Sequence, residues 1–355
     1  SFDPSEPRWL NRERFVLSAG HGSMFLYAWL HLAGYDLPME EIRNFRQMGS
    51  KTPGHPEFGD TPGVECTTGP LGQGVGNAVG LAVSGKMAAA RYNTKDHKIF
   101  DHQVVCLAGD GCLQEGVSSE ASAFAGHFGL DNLILLYDAN RITLDAMAAE
   151  TQSEDTRKRY EAYGFETFEV DGQDMQAFAD VFETAKATRN GHPKFILCRT
   201  LVGKGIPEVE GTAKAHGESG AAYAESSRKT LGLPGEPYYV SDEVREFFAG
   251  KAKEKAARHA EWRKLYADWK AANPGLASEL ETALEGGYPS AGELMEAVPE
   301  FDPGEALATR ASGGKILNGV AAKIPTLVSG RAGLHGATKN YLDGLGDFTA
   351  ENPGG

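Results

Sequence analysis

The sequence is poor in features that would send a chain out of solution or cross-link it. It has only four cysteines in 355 residues, Cys66, Cys106, Cys112 and Cys198, and no two at CxxC spacing. That leaves no disulfide framework or zinc knuckle and predicts buried free thiols in a reducing compartment. No apolar run approaches the roughly 18 residues of a membrane span, and the first residues, "SFDPSEPRWLNRERF", have no apolar signal core. Positive charge is also scarce: 35 Lys+Arg against 49 Asp+Glu gives a net charge of −14. Such a chain repels nucleic acid and anionic membrane, so neither is an expected partner. It also repels phosphorylated ligands at long range, so any phosphate site must be built locally. Low-complexity tracts are absent. Both ends lie in loop-like sequence, as though upstream residues were missing and a further segment followed.

Glycine, by contrast, is plentiful, with 44 residues that cluster in loops. "GSMFLYAWLHLAGYDLP" reads as a buried helix stopped by Gly34 and Pro38. "KTPGHPEFGDTPGVECTTGPLGQGVG" is aperiodic and too long for a simple connector. It leads into a helix lined with small residues, "NAVGLAVSGKMAAARYN". Beyond it the pattern predicts strand 103–108, helix 114–127, strand 132–138, helix 153–163, strand 165–170, helix 174–188 and strand 194–200. This alternation implies βαβ units, hence an α/β fold whose parallel sheet is covered by helices on both faces. A charged helical segment follows from Ser241. The expected organisation is a first domain over 1–273, a linker over 274–303 and the start of a second α/β domain over 304–355. That second unit would open with a helix from Glu305 and a strand at "PTLVSG".

Two predicted strands end on oxygen-bearing side chains: "VVCLAGD" on Asp110 and "LILLYDAN" on Asn140. Ligands of open parallel sheets bind at the carboxyl ends of strands. One helix and its loops fill the interval, so the strands are expected to be neighbours and their oxygens to converge. Asp110 offers charge, Asn140 a neutral carbonyl, and Ile142 a backbone C=O. Such an oxygen set suits Mg²⁺ shared with a diphosphate. Gly109 and Gly111 are expected to let the backbone turn tightly beside a phosphate. Either residue pattern alone is compatible with a turn or a strand cap; the pairing points to a metal–diphosphate clamp.

The histidines divide by context. His21, His55 and His216 adjoin glycine in loops, where imidazole can move protons near neutral pH or serve structure. His31 and His127 fall in helical patterns and read as packing residues. His97, His102, His192 and His259 read as exposed or turn residues. Glu115 and Glu120, five apart on an expected helix, are unremarkable surface charges by spacing alone.

GDG followed about thirty residues later by Asn resembles the thiamine-diphosphate-binding motif. "GDGCLQEGVSSEASAFAGH", "KTPGHPEF", "TTGPLGQG" and "KAHG", in that combination and over nearly the whole chain, are similar to the transketolase family. "RFVLSAGHGSMFLYAWLHLAGYDL" and "RTLVGKGIP" add to the match. The resemblance implies transfer of a two-carbon ketol unit between sugar phosphates by a cytoplasmic homodimer. It implies thiamine diphosphate with Mg²⁺, which Ca²⁺ or Mn²⁺ can replace. Asp110, Asn140 and the carbonyl of Ile142 would hold the metal, and Gly111 would lie against the diphosphate. His21 and His216 would reach the diphosphate or the reacting centre. His55 would contact the sugar hydroxyls, and Gly69 and Leu71 the cofactor rings. Glu115 and Glu120 would flank the cofactor at the subunit interface, and Arg310 would bind a terminal phosphate. Three departures stand out. An early "GHPG"-like histidine and a "GIREHA"-like glutamate segment are absent. In "RAGLHGAT", Gly333 and Ala337 stand where the family keeps Asp and Ser. The alternatives are another thiamine-diphosphate enzyme such as a deoxyxylulose-phosphate synthase, the N-terminal subunit of a split transketolase, or a non-catalytic fragment.

Overall fold

A five-stranded sheet organises the first two hundred residues. The structure, a computed structural model, describes residues 1–216 and 219–355. Its strands are β1 (Arg14–Leu17), β2 (Val104–Gly109), β3 (Leu133–Ala139), β4 (Glu166–Asp171) and β5 (Lys194–Arg199). They lie in the order β1-β2-β3-β5-β4, and every neighbouring pair is parallel. The first five residues of β3 are buried, as are the first five of β5. Covered on two faces, such strands read as continuous apolar runs rather than alternating ones. β1 was not expected. It is four residues long, at the sheet edge, with only Val16 and Leu17 buried.

The helices of this part are α1 (Ser23–Ala33), α2 (Met39–Arg43), α3 (Gln73–Tyr92), α4 (Asp110–Gln114), α5 (Gly116–His127), α6 (Thr156–Tyr163) and α7 (Met175–Ala187). α1 stops where expected: Gly34 takes the left-handed conformation (φ 93°) that most side chains avoid. The buried side chains of α1 join Leu17, Leu37, Ile42 and Val64 in one core cluster. α7 covers β4 and β5 with Ala185 among Ile134, Leu136, Val170 and Ile196. The segment between α2 and α3 forms neither helix nor strand.

The helix expected over 114–127 is α5, which begins at Gly116; the short α4 before it was not expected. Glu115 is extended (φ −72°, ψ 139°) and separates α4 from α5. The hydroxyl of Ser118 donates to the Cys112 carbonyl at 2.6 Å and satisfies an end group that the break exposes.

The chain divides into two compact units, Ser1–Arg263 and Lys264–Gly355. α8 (Ser219–Ala222), α9 (Ala224–Thr230) and most of α10 (Asp242–Ala272) belong to the first. In this unit His259 is 7% exposed and bonds Asp3 at 2.9 Å, a correction to its expected exposure. The second unit holds the end of α10, then α11 (Pro274–Leu284), α12 (Ala291–Glu296), α13 (Thr309–Ala321) and α14 (His335–Thr338). Two of these helices occupy the stretch read as a linker. Ser290 and Glu293 close a capping box on α12. α13 begins at Thr309 rather than at Glu305. The "PTLVSG" segment is not a strand, and Val328 is 63% exposed; its apolar run has no neighbouring strand among the described residues. All four cysteines are free thiols, three of them buried. No described helix is long and apolar enough to cross a membrane.

Candidate functional site

Strands β2 and β3 are hydrogen-bonded neighbours, with Gly109 level with Asp138. Asp110 therefore follows the end of β2 beside the end of β3. Its carboxylate is 4% exposed. Oδ1 accepts from the Tyr137 hydroxyl at 2.7 Å, and Oδ2 accepts from the backbone N–H of Arg141 at 3.0 Å. Both partners are neutral. Burial pushes the Asp110 carboxyl above its usual range, and the nearby Asp138 charge adds to this, against the pull of the two hydrogen bonds.

The loop after β3 is folded onto that carboxylate. Arg141 adopts a left-handed conformation (φ 66°), uncommon for a residue with a side chain. Asn140 Oδ1 accepts from the Ile142 N–H at 3.0 Å, and Asn140 Nδ2 donates to Asp138 Oδ2 at 2.9 Å. The structure thus brings Asp110 and the 140–142 loop together, as their strand-end positions required. No cluster of three or more His, Cys, Asp or Glu side chains suited to a metal occurs among the described residues. The set Asp110, Asn140 and Ile142 contains one such side chain, so it is not a cluster of that type.

Gly111 and Gly109 differ. A Cβ at Gly111 would lie 2.8 Å from Leu71 Cδ1, so Leu71 and Gly111 are packed together. Gly109 has ordinary extended angles (φ −99°, ψ −178°), and a Cβ there would meet nothing. The conformational freedom expected of Gly109 is not used; what it leaves is open space.

The glycine-rich loops converge through close backbone approach. A Cβ at Gly20 would lie 2.9 Å from both Gly69 N and Thr68 Oγ1. A Cβ at Gly69 would in turn contact the His55 ring at 3.5 Å. His55 is exposed, but its backbone is held: Tyr27 donates to the Pro53 carbonyl at 2.9 Å and the His55 carbonyl at 3.2 Å, and Ser23 donates to Gly54 at 2.8 Å. α1 therefore fixes the loop that carries His55. His21 follows Gly20 in a single turn, and its ring lies 4.8 Å from that of His216. Desolvation, then His216 and His55, lower the His21 pKa despite an opposing pull from Asp138. Gly217, in the "KAHG" stretch, lies outside the described residues.

Gly72 (φ 78°) abuts Glu115, whose Cβ would be 2.7 Å from a Cβ at Gly72. Glu115, at the break between α4 and α5, and Glu120, on α5, are both exposed. Arg310 is exposed in the first turn of α13, and Gly333 (φ 74°) and Ala337 lie in the same second unit. His31 is tied to the Leu37 carbonyl at 2.8 Å. His127 is exposed at the end of α5, not packed in the interior.

Three buried polar atoms near these loops lack a protein partner: Ser18 Oγ, Thr68 Oγ1 and His216 Nδ1. Buried polar groups are rarely left so, and a ligand with acceptors and donors would fit them. Sequence reasoning missed Ser18, Thr68, Tyr137, Asp138 and Thr200. The signal for the last two was available: polar residues at or just past the carboxyl ends of β3 and β5.

Residues 1–289 match the family model "Transketolase, thiamine diphosphate binding domain". The chain belongs to the transketolase family. It is 54% identical to the transketolase of Physarum polycephalum and 53% identical to that of Dictyostelium discoideum. Each match covers 100% of this chain and 53% of the relative. Its fold superposes on transketolase from Leishmania mexicana with a TM-score of 0.94 at 37% identity, over 100% of this chain and 53% of that one. A Pichia stipitis transketolase solved as a complex with sedoheptulose 7-phosphate gives 0.93 at 38% identity, over 99% and 52%. The chain thus spans about half the length of the curated relatives it matches.

Proposed function

We propose that this chain is the diphosphate- and metal-binding part of a transketolase. The whole protein transfers a two-carbon ketol unit from a ketose phosphate to an aldose phosphate. The observation that carries this reading, given the family, is the Arg141 N–H bond to Asp110 Oδ2 at 3.0 Å. It joins the ends of two neighbouring parallel strands into one oxygen-rich corner.

The residues fit the group. Asp110, Asn140 and the Ile142 carbonyl would hold Mg²⁺, or Ca²⁺ or Mn²⁺ in its place, with lone pairs that hydrogen bonding leaves over. The open space at Gly109 leaves room for a diphosphate, which would lie against Gly111, and the unpartnered Nδ1 of His216 gives it a hydrogen-bonding group. His21, its pKa lowered, is mainly neutral near pH 7 and can donate or accept. Thiamine diphosphate, when bound, supplies the electron sink for breaking and forming the ketose C2–C3 bond. Gly69 and Leu71 line its rings. His55 and His216 exchange protons with the sugar's hydroxyl and carbonyl oxygens. Arg310 holds the terminal phosphate, and Glu115 and Glu120 lie at the subunit interface.

On this reading residues 1–273 form the thiamine-diphosphate-binding domain and 274–303 connect it to the start of a pyrimidine-binding domain at 304–355. The rest of that domain comes from a continuation of the chain or from a complementary chain. The active form is a homodimer working in the cytoplasm on sugar phosphates; complexes of a Pichia stipitis relative with xylulose 5-phosphate and sedoheptulose 7-phosphate support that substrate class.

Calorimetry on the full-length protein tests the proposal. Thiamine diphosphate should bind with Mg²⁺ present and far more weakly in chelator, and Asp110→Ala should lose the Mg²⁺-dependent binding. Undiminished cofactor affinity in Asp110→Ala would overturn the assignment.

A further inference from the structure

The Asp138 carboxylate stands between Asn140 and a residue just past the end of another strand. Oδ2 accepts from Asn140 Nδ2 at 2.9 Å, and Oδ1 accepts from the hydroxyl of Thr200, just past the end of β5. Asp138 lies level with Gly109 on β2 and Cys198 on β5, so it reaches Thr200 from the side of β3 away from Asp110.

An asparagine amide presents a donor and an acceptor of nearly the same shape, and its surroundings decide which points where. At Asn140 both neighbours give the same answer. The carboxylate can only accept, so it takes the NH₂. The Ile142 N–H can only donate, so it takes the carbonyl oxygen. Turning the amide over would set oxygen against carboxylate and NH₂ against N–H.

Thr200 is itself held. Gly172, just beyond β4, donates to the Arg199 carbonyl at 2.8 Å. A Cβ at Gly172 would lie 2.7 Å from Thr200 Cγ2 and 3.1 Å from Cys198 Cβ. The threonine methyl is thus packed on a bare backbone, and its hydroxyl is left facing Asp138.

We propose that Asp138 and Thr200 are positioning residues that hold the amide oxygen of Asn140 toward the divalent cation. This rests on the metal site proposed above and adds a support that runs through β3, β5 and the end of β4. Neither residue touches the cation. They act on the orientation of a neutral ligand, which has no charge of its own to enforce it. Residues that orient metal ligands in this way typically change affinity by about 10–100-fold when replaced.

The test is a Mn²⁺ titration of the full-length protein at fixed thiamine diphosphate, with free Mn²⁺ read by electron paramagnetic resonance. Wild type is compared with Asp110→Ala, Asp138→Asn, Thr200→Val and Thr200→Ser, and the unfolding temperature of each is measured without metal. We expect Asp138→Asn and Thr200→Val to weaken Mn²⁺ binding by about 10–100-fold. Thr200→Ser, which keeps the hydroxyl, should stay close to wild type, and the metal-free unfolding temperatures of both Thr200 variants should match wild type. If Asp110→Ala loses Mn²⁺ while Asp138→Asn and Thr200→Val keep wild-type affinity, the positioning role is wrong. Equal weakening in Thr200→Val and Thr200→Ser, together with lowered unfolding temperatures, assigns Thr200 to packing and also overturns it. If Asp138→Asn does not fold, the Thr200 pair decides. An Asp110→Ala protein that binds as wild type does would instead refute the metal site itself.

Discussion

Replacing Asp110 with Asn separates what this side chain does for the fold from what it does for the ligand. The carboxylate is buried, and its two hydrogen-bond partners are neutral. An amide fits the same place. Its oxygen can accept from the Arg141 N–H, and its NH₂ can donate to the Tyr137 oxygen once that hydroxyl turns its proton away. The effective penalty for a buried ion is several kcal/mol. Its charge-assisted hydrogen bonds return roughly 1–2 kcal/mol each over neutral ones. The metal-free Asp110→Asn protein should therefore be as stable as wild type, or more stable by up to about 2 kcal/mol. With thiamine diphosphate and Mg²⁺ at about 100 times Kd, wild type gains about 2.7 kcal/mol. The variant, without the charged ligand, should gain little of it. Asp110→Ala is the contrast: it also loses the ligand gain, but it strands the Tyr137 hydroxyl and the Arg141 N–H at about 1–3 kcal/mol each where water cannot reach them. Urea unfolding at pH 7, with and without the ligands, reads both effects. A metal-free Asp110→Asn protein less stable than wild type by more than about 1 kcal/mol, or one that keeps the ligand-induced gain, would refute this assignment of roles to Asp110.

Other consequences can be checked in the same full-length protein. His55→Ala and His216→Ala should cut turnover by about 10²–10⁴-fold while cofactor still binds. His31→Ala, which loses only a bond to the Leu37 carbonyl, should affect stability instead; equal kinetic loss in all three would remove the distinction. Gly20→Ala places a methyl 2.9 Å from Gly69 N. It should lower stability by about 1–3 kcal/mol and weaken thiamine diphosphate binding, and calorimetry showing unchanged affinity would count against convergence of these loops on the cofactor. Ala337→Ser should raise the preference for fructose 6-phosphate over fructose, measured as kcat/KM, by about ten- to a hundred-fold. No change would mean that Arg310 suffices without that hydroxyl.

Four of the five strands could be read from the sequence: β2, β3, β4 and β5 each fall within a residue of the expected range. β3 and β5 are continuous apolar runs between turn residues, and burial alone dictates their composition. β1 could not be read this way because four residues at an edge give no period. The break at Glu115 was also hidden. Glutamate is a good helix former, and the break is settled by the contact with Gly72 and the Ser118–Cys112 bond rather than by local preference. "PTLVSG" shows the opposite error: an apolar run becomes a strand only when a sheet offers it partners. At the site, Asp110 and Asn140 were legible because strand ends are where parallel sheets place ligands. The pairing of His21 with His216 was not, since no local pattern brings residues so distant in sequence together; only the family resemblance pointed there. Asp138 was read only as part of a strand, and its bond with Asn140 Nδ2 emerges only in the structure.

The most direct test is a crystal structure of the full-length protein with thiamine diphosphate and Mn²⁺, with the metal located by its anomalous scattering. The account predicts one Mn²⁺ peak bonded to an Asp110 oxygen, Asn140 Oδ1 and the Ile142 carbonyl, with the cofactor's diphosphate completing its shell. A peak elsewhere, or a cofactor bound with no metal at Asp110, would contradict it.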